Sequence, residues 1–480
     1  MRKSQFILVL MLSTSFATMA RANGTSSYDN CATAVGASNC VPIGDSGTYY
    51  ALSGDAGNKT MTIYGTSGST AAKVPADAFY DYDSWETILP GGVRSLKTSG
   101  NVDIENYAFE YAMGLTSVDL TGVQSIGDTA FYGASGLTSA NLTGVQTIGY
   151  NAFYGATGLT SIDLTGVQTI GDSAFQNATS LTSVDLTGVQ TIGADAFHGA
   201  TGLTSVDLTG VQTIGDSAFK GATSLTGHLD LSDVQSIGDT AFYGATGLTS
   251  VDLTGVETIG SHAFYGATGL TSVDLTGVQS IGWNAFKGAT SLTGHLDLSD
   301  VQTIEYNAFQ GATGLTSIVI SDSILDSSGN ILEYDEESGV YTGIAADAFE
   351  GSGLNTIYCP KDKTCGNSFT GLSGTPTIIS YSKNDDGTYS VGENMYANAD
   401  MMANKIACAD ASQCAALQRA LNAGNTCEAQ DACNTLALQY AAPSEPATPS
   451  APARADIRIY TIEEANAVAG KVNSVKIRYR

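Results

Sequence analysis

Leu159-Thr-Ser-Ile-Asp-Leu-Thr-Gly-Val-Gln-Thr-Ile-Gly-Asp-Ser-Ala-Phe175-Gln-Asn-Ala-Thr-Ser180 is one copy of a unit that begins again, nearly unchanged, at Leu181. Its Ala-Phe pair recurs with Phe at 109, 131, 153, 175, 197, 219, 242, 264, 286 and 309, in steps of 22 residues with 23 at two places. A fixed period in this range marks a solenoid. One copy is too small to bury its own apolar face, so neighbouring copies must stack.

Leu159, Ile162 and Leu164 follow L-x-x-L-x-L, the strand pattern of leucine-rich repeats. Alternation sends Ile162 and Leu164 inward and Ser161, Asp163 and Thr165 outward. Gly166 allows a turn, after which Val167 and Ile170 return to the core. Gly171-Asp172-Ser173 reads as a turn plus helix N-cap, a short side-chain oxygen holding first-turn amides. Ala174 and Phe175 are expected to be buried on the far side. Most copies have Gly where this one has Asn177, which predicts a positive φ there; Tyr111 breaks the rule in the first copy. Extra residues, Gly227 and Gly294, account for the two longer steps and predict small bulges. The expected fold is an α/β, right-handed leucine-rich-repeat solenoid with a parallel sheet. A small non-repeat N-terminal cap and a small disulfide-bonded helical C-terminal module complete it.

Leu-Thr-Ser-Val-Asp-Leu with Ile-Gly-Asp-Ser-Ala-Phe-Tyr-Gly-Ala resembles the BspA-type leucine-rich repeat of bacterial surface proteins. The resemblance implies a secreted or surface-bound role in adhesion and host interaction. Two departures stand out. Ala134 and Ala156 occupy positions where the family's repeats usually carry Cys, and Thr-Gly replaces its proline-containing turn.

Along the chain, Arg2 and Lys3, the apolar run Phe6 to Leu12 and Ala20-Arg21-Ala22 read as a signal peptide over residues 1–22. Residues 23–100 form an N-terminal region with a degenerate capping coil, marked by Asp77-Ala-Phe79. The solenoid spans 101–321. Residues 322–380 hold an inserted hairpin, Ile331 to Thr342, and a C-terminal cap around Ala348-Phe349 and Leu354 to Cys359. A hairpin around Asp385-Asp386-Gly387 and a Cys-paired helical module fill 381–441. A Pro/Ala/Ser linker occupies 442–454, and 455–480 read as a basic β-α-β tail.

Acids outnumber bases 47 to 20. Removing residues 1–22 deletes three bases, so the exported chain would carry 17 − 47 = −30. Such a balance argues against nucleic acid, since phosphate binding needs clustered Lys and Arg. The tail reverses the sign, with six bases and three acids from Arg454 to Arg480. This points to envelope association, or else to a terminal piece packed on the helical module.

The eight cysteines fall in adjacent pairs, Cys31/Cys40, Cys359/Cys365, Cys408/Cys414 and Cys427/Cys433. Export makes disulfides the default over zinc. The last four pair either locally or as a nested hairpin, 408–433 with 414–427. Residues six apart lie about 120° off one helix face. Local pairing therefore needs the first Cys of each pair in a loop before a helix, with Asp410, Ser412 and Asp431 as candidate N-caps.

Two outward columns are candidate binding sites. Asp163, Asp185, Asp207, Asp230, Asp252, Asp274 and Asp297 continue a ladder that includes Asp119, with Asn141 in one rung. Carboxylates about 4.8 Å apart repel by roughly 0.9 kcal/mol in water. Hydration and Ser or Thr hydroxyls offset this, or else calcium or a basic ligand does. The second column follows the marker Phe: Tyr132, Tyr154, Tyr243 and Tyr265 in some coils, Gln176, His198, Lys220 or Lys287 in others. Aromatic rows stack sugars or anchor proteins. His228 and His295, three coils apart, cannot share a metal. No metal site or cofactor is expected.

Catalysis needs one asymmetric set of unlike groups. Copied coils repeat the same groups, and no catalytic motif appears. Two functions fit: a surface-associated binding protein whose partner is a host or neighbouring-cell protein or glycan, or a spacer of the envelope without a specific ligand.

Overall fold

The computed structural model describes residues 27–43, 47–66, 71–76, 78–81, 86–87, 89, 92–334, 342–367, 369–384, 388–392, 394–396, 402, 407–408, 411–421, 433–434 and 437. The signal segment, the linker, the basic tail, Asp77, Asp385-Asp386-Gly387, Asp410, Cys427, Asp431 and residues 335–341 of the inserted hairpin lie outside them.

Each coil supplies a strand to two parallel sheets. The first strand is the Ser-x-Asp segment, as in Ser161–Asp163, paired in register with Ser139–Asn141. The second is the short Thr-Ile or Ser-Ile segment, as in Thr169–Ile170. Second strands form an unbroken sheet of twelve, from Ala72–Val74 to Gly343–Ile344. Between the sheets lie rows of fully buried Leu, Val, Ile and Ala. The marker phenylalanines form one continuous stack, from Phe79 on Phe109 through to Phe309 on Phe349, with neighbouring ring centroids 5.1–5.4 Å apart.

The far side of the coil differs from expectation. Among the described residues of the repeats there is no helix, and Asp172 is not an N-cap. The amides of Ser173, Phe175 and Asn177 donate to Ala194, Ala196 and His198 of the next coil, at 2.7–2.8 Å. Helical turns would have spent those amides within the coil. Asp172 instead accepts the amide of Ala194 across the coil boundary, at 2.9 Å. Asn177, Gly133, Gly155 and Gly199 have φ of 63–73°, and Tyr111 takes the same left-handed conformation at 53°. A second left-handed position per coil carries no glycine: Thr129, Asn151, Ser173 and their counterparts have φ of 54–59°.

The first-strand sheet is interrupted at three seams, after Ser161–Asp163, Ser205–Asp207 and Ser272–Asp274. The cause is one column. Most coils have Gly just before the first Leu. A Cβ on Gly158 or Gly269 would lie 2.6 Å from the Ser135 oxygen or 2.5 Å from the Thr246 oxygen of the preceding coil. The coils that follow the seams carry Ser180, Ser224 and Ser291 there. Their Cβ atoms cannot enter that space: across the first seam the bond from Thr182 to Thr160 is not made, and across the other two the equivalents, Thr226 to Thr204 and Thr293 to Thr271, are 3.2 Å. Ile162, Val206 and Val273, on the near side of each seam, are only partly buried, whereas Val184, Val251 and Val118 are buried.

The bulges fall as expected, with register shifts at Gly227/His228 and Gly294/His295 and φ of 83° and 81° at the glycines. At the N-terminal end, Val41–Ile43, Thr48–Asp55 and Asn58–Tyr64 form an antiparallel meander, whose last strand pairs in parallel with Val93–Ser99. At the other end, Gly314–Ile320, Thr356–Pro360 and Thr377–Lys383 continue the parallel sheet. Thr377–Lys383 then pairs antiparallel with Tyr389–Val391, and that strand with Asn394–Tyr396. Here the outward Asp column gives way to Val319 and Tyr358. Both are buried under Tyr381, Tyr389, Tyr396, Met402 and Leu417. The hydroxyl of Tyr381 donates to the Ile320 carbonyl at 2.7 Å.

Disulfides join Cys31–Cys40, Cys359–Cys365 and Cys408–Cys414. Cys408 precedes the helix Ala411–Leu421 that carries Cys414, so pairing is local. Ser412 sits inside that helix rather than capping it. Cys433 is disulfide-bonded as well.

Candidate functional site

The Asp ladder lies on the outer face of the first-strand sheet. Asp185 pairs in register with Asp207, and Asp252 with both Asp230 and Asp274. Each carboxylate is already engaged. Oδ1 of Asp163, Asp185, Asp207, Asp230, Asp252, Asp274 and Asp297 accepts the amide two residues on, from Thr165 to Ser299, at 2.9–3.0 Å. This is the side-chain turn that Asp and Asn form best. Asn141 does the same for Thr143 at 3.0 Å, which is why it can occupy a rung. Hydrogen bonds from the side chain and amide of Thr165 hold Asp163 below the usual carboxylate range, and Thr187 does so for Asp185. The amide and hydroxyl of Ser232 lower Asp230. The column is therefore a turn-forming device. Among the described residues no group of three or more His, Cys, Asp or Glu is placed to hold a metal. His228 lies in a strand, exposed, with Nδ1 2.9 Å from Ser250 Oγ.

The tyrosine column lies on another flank, where the chain turns away from the marker Phe. It is less open than expected, for Tyr132, Tyr154, Tyr243 and Tyr265 are all partly buried. They stack in two pairs. Tyr132 and Tyr154 are 4.8 Å apart at 7°, Tyr243 and Tyr265 4.9 Å apart at 1°. Each ring thus spends one face on its partner, and the Tyr154 hydroxyl accepts from Asn177 Nδ2 at 3.3 Å.

Sequence reasoning missed the surroundings of the second pair. Lys220 Nζ lies 5.7 Å from the Tyr243 ring centroid, a cation–π distance. Lys287 follows Tyr265 one coil on. His262 contacts Tyr265 and Trp283, at 5.6 and 5.2 Å between centroids. Trp283 is 49% exposed. Asn284, in the next coil, donates Nδ2 to His262 Nε2 at 3.0 Å. Burial lowers the His262 pKa first, Lys287 and Lys220 lower it further, and Asp239 opposes them. The available signal was charge: Lys220 and Lys287 are the only Lys or Arg between residues 101 and 320.

The family pattern described as BspA type Leucine rich repeat region matches residues 102–226 and 212–338, in six copies. The solenoid is a BspA-type leucine-rich repeat. No curated relative matches the chain. Among solved structures, the BspA-type chain is similar to the pneumococcal vaccine antigen PcpA, with 17% identity, 71% of this chain and 98% of that one covered, and a TM-score of 0.39. A leucine rich cell surface protein from Faecalibacterium prausnitzii shares 23% identity over 71% of this chain and 94% of that one, with a TM-score of 0.34. A leucine-rich repeat protein from Bacteroides ovatus shares 21% identity over 69% and 98%, with a TM-score of 0.27. No helix among the described residues of the BspA-type chain is long and apolar enough to cross a membrane.

Proposed function

We propose that the protein is exported and acts at a bacterial surface as a binding protein, using a flank of its BspA-type solenoid to engage a host or neighbouring-cell protein or glycan. The supporting observation is the column after the marker Phe. It varies from coil to coil while the core columns stay constant, and it holds two stacked, partly buried tyrosine pairs. Such variation over an unchanging core gives the flank a mixed set of aromatic, basic and amide side chains for contact. The Asp ladder, engaged in turns, is the weaker candidate. Repetition of one set of groups argues against an enzyme, and many equal contacts favour avidity for an extended ligand.

The basic tail, residues 455–480, would hold the acidic body at an anionic envelope. Truncation at Pro443 should release the protein from cells if so. Binding itself is tested by probing arrays of immobilised matrix proteins and glycans with the full chain. Reproducible capture that weakens when Tyr132, Tyr154, Tyr243 and Tyr265 are replaced by Ser supports the proposal. A chain that binds nothing is the spacer, a reading favoured by Asp carboxylates already used in turns. Deleting two coils would then change only reach.

A further inference from the structure

We propose that the hollow on the outer face of the first-strand sheet, at the rung where Asn141 interrupts the Asp ladder, binds a single neutral pyranose ring. This site is apart from the tyrosine flank, and it stands or falls independently of that flank's partner.

The hollow measures about 430 Å³ and lies across the strands Val93–Ser99, Ser117–Asp119, Ser139–Asn141 and Ser161–Asp163. That size falls within the range of small-ligand sites. Two columns wall it. The ladder column here reads Lys97, Asp119, Asn141 and Asp163, in register from strand to strand. The serine column contributes Ser139 and Ser161. Ile162, between the columns, also lines the hollow, and at the first seam it is only partly buried.

The ladder changes its chemistry at this point. From Asp163 to Asp297 every rung is a carboxylate, which accepts hydrogen bonds and donates none. Lys97 and Asn141 add donors to this stretch alone. Asn141 Nδ2 is held loosely, 3.3 Å from Asp119 Oδ1 and 3.4 Å from Thr121 Oγ1, past the usual hydrogen-bond range. The turn at Asp119 uses Oδ1, which accepts from Thr121 Oγ1 at 2.7 Å, and leaves Oδ2 for a ligand. One rung towards the N-terminus, Ser95 and Ser117 spend their hydroxyls on each other at 2.8 Å. Among the described residues the hydroxyls of Ser139 and Ser161 have no such partner.

Each hydroxyl of a sugar both donates and accepts, so a pyranose needs this mixture of groups. Its C–H face needs an apolar surface, which Ile162 offers. Charge decides against the other ligand classes. An anion would meet Asp119 and Asp163 with Lys97 alone in its favour, and Lys97 already stands opposite Asp119. A cation would be held better along the unbroken carboxylates from Asp163 to Asp297, where no rung is diluted.

The test uses the full chain with the methyl glycosides of glucose, galactose, mannose and N-acetylglucosamine, and with glucuronate and glucosamine as charged comparisons. Saturation-transfer NMR with titration reads binding. At least one neutral glycoside should bind, and more tightly than either charged sugar. Asn141→Asp installs the residue that the coils from Asp163 to Asp297 already carry, so the fold is kept. It should weaken binding at least about tenfold. Ser139→Leu fills the hollow and should abolish binding. Thr213→Ala, in the second-strand sheet, should leave it unchanged. Matching melting temperatures establish that the variants are folded. Failure of all four neutral glycosides to bind, binding that survives Asn141→Asp, or tighter binding of glucuronate or glucosamine overturns the inference. None of these outcomes bears on capture through the tyrosines, which their replacement by Ser reports separately.

Discussion

The α-carbon of Gly202 packs against the backbone of Thr179 in the preceding coil so closely that a Cβ would lie 2.5 Å from the Thr179 oxygen. Ser180 occupies the same position one coil earlier, and its coil pairs with no first strand on that side. The Thr160 amide reaches Thr138 at 3.0 Å and the Leu142 amide reaches Asp163 at 3.0 Å, yet the equivalent bonds from Thr182 and Leu164 are not made. Ser180→Gly should therefore close the seam. The gain is about 1 kcal/mol, since recovered hydrogen bonds outweigh the entropy of one glycine. Hydrogen exchange should show new protection at the amides of Thr182 and Leu164. Gly202→Ala should do the opposite, opening a fourth seam at a cost of about 1–3 kcal/mol. Unchanged exchange in both variants would remove glycine as the cause.

Thr129 has φ of 59° and is nearly buried. A β-branched residue is costly in this region, where Asn is tolerated. Asn151, Asn284 and Asn307 fill the same position in other coils. Thr129→Asn should raise stability by about 0.5–1 kcal/mol, and Thr129→Val should not. Urea unfolding of the two variants compares them directly.

Acid should destabilise the protein in two stages. The His262 pKa lies below its ordinary 6.5 because burial, then Lys287 and Lys220, disfavour the imidazolium, against Asp239. A depressed pKa means the folded state binds fewer protons, so this contribution is whole above pH 6.5 and declines as pH falls towards the folded value. Trp283 and Asn284, which also lie against the ring, do not ionise. Asp163, Asp185 and Asp230, also depressed, act later, from about 3.8 downward. His262→Asn should abolish the first stage and keep the left-handed backbone. Asp185→Asn should blunt the second while leaving neutral-pH stability nearly unchanged, as Asn141 already does in its own rung. Melting temperature against pH reads both. Millimolar calcium should leave it unmoved, because among the described residues no three or more His, Cys, Asp or Glu side chains converge to hold a metal.

Much of this was legible in the chain, and the reasons differ by residue. Phe175, Leu159 and Ile170 recur at a fixed period, and burial follows from the period alone. Gly227 and Gly294 are insertions, so bulges were forced. Asp172 misled: the same short acceptor caps a helix or bridges to the next coil, and only the stacked geometry decides which amide is nearer. Ser180, Ser224 and Ser291 look like tolerated variants of Gly until the neighbouring carbonyl is in view. Lys220 lies far in sequence from Trp283 and Lys287, and the coil pitch brings it onto the same flank.

Phe197 is fully buried, 5.3 Å from both Phe175 and Phe219. Phe197→Ala should cost about 3–5 kcal/mol by leaving a cavity. In a solenoid each coil contacts only its neighbours, so the loss should be local. Coils around Ala196 should exchange faster, while those near Phe109 and Phe309 stay protected. Above some denaturant concentration the variant should unfold in two steps, the halves separating where the stack is broken. Phe197→Leu, which refills most of the space, should restore a single transition. A uniform loss of protection along the whole chain would mean that the coils fold as one cooperative body, not as a row of coupled neighbours.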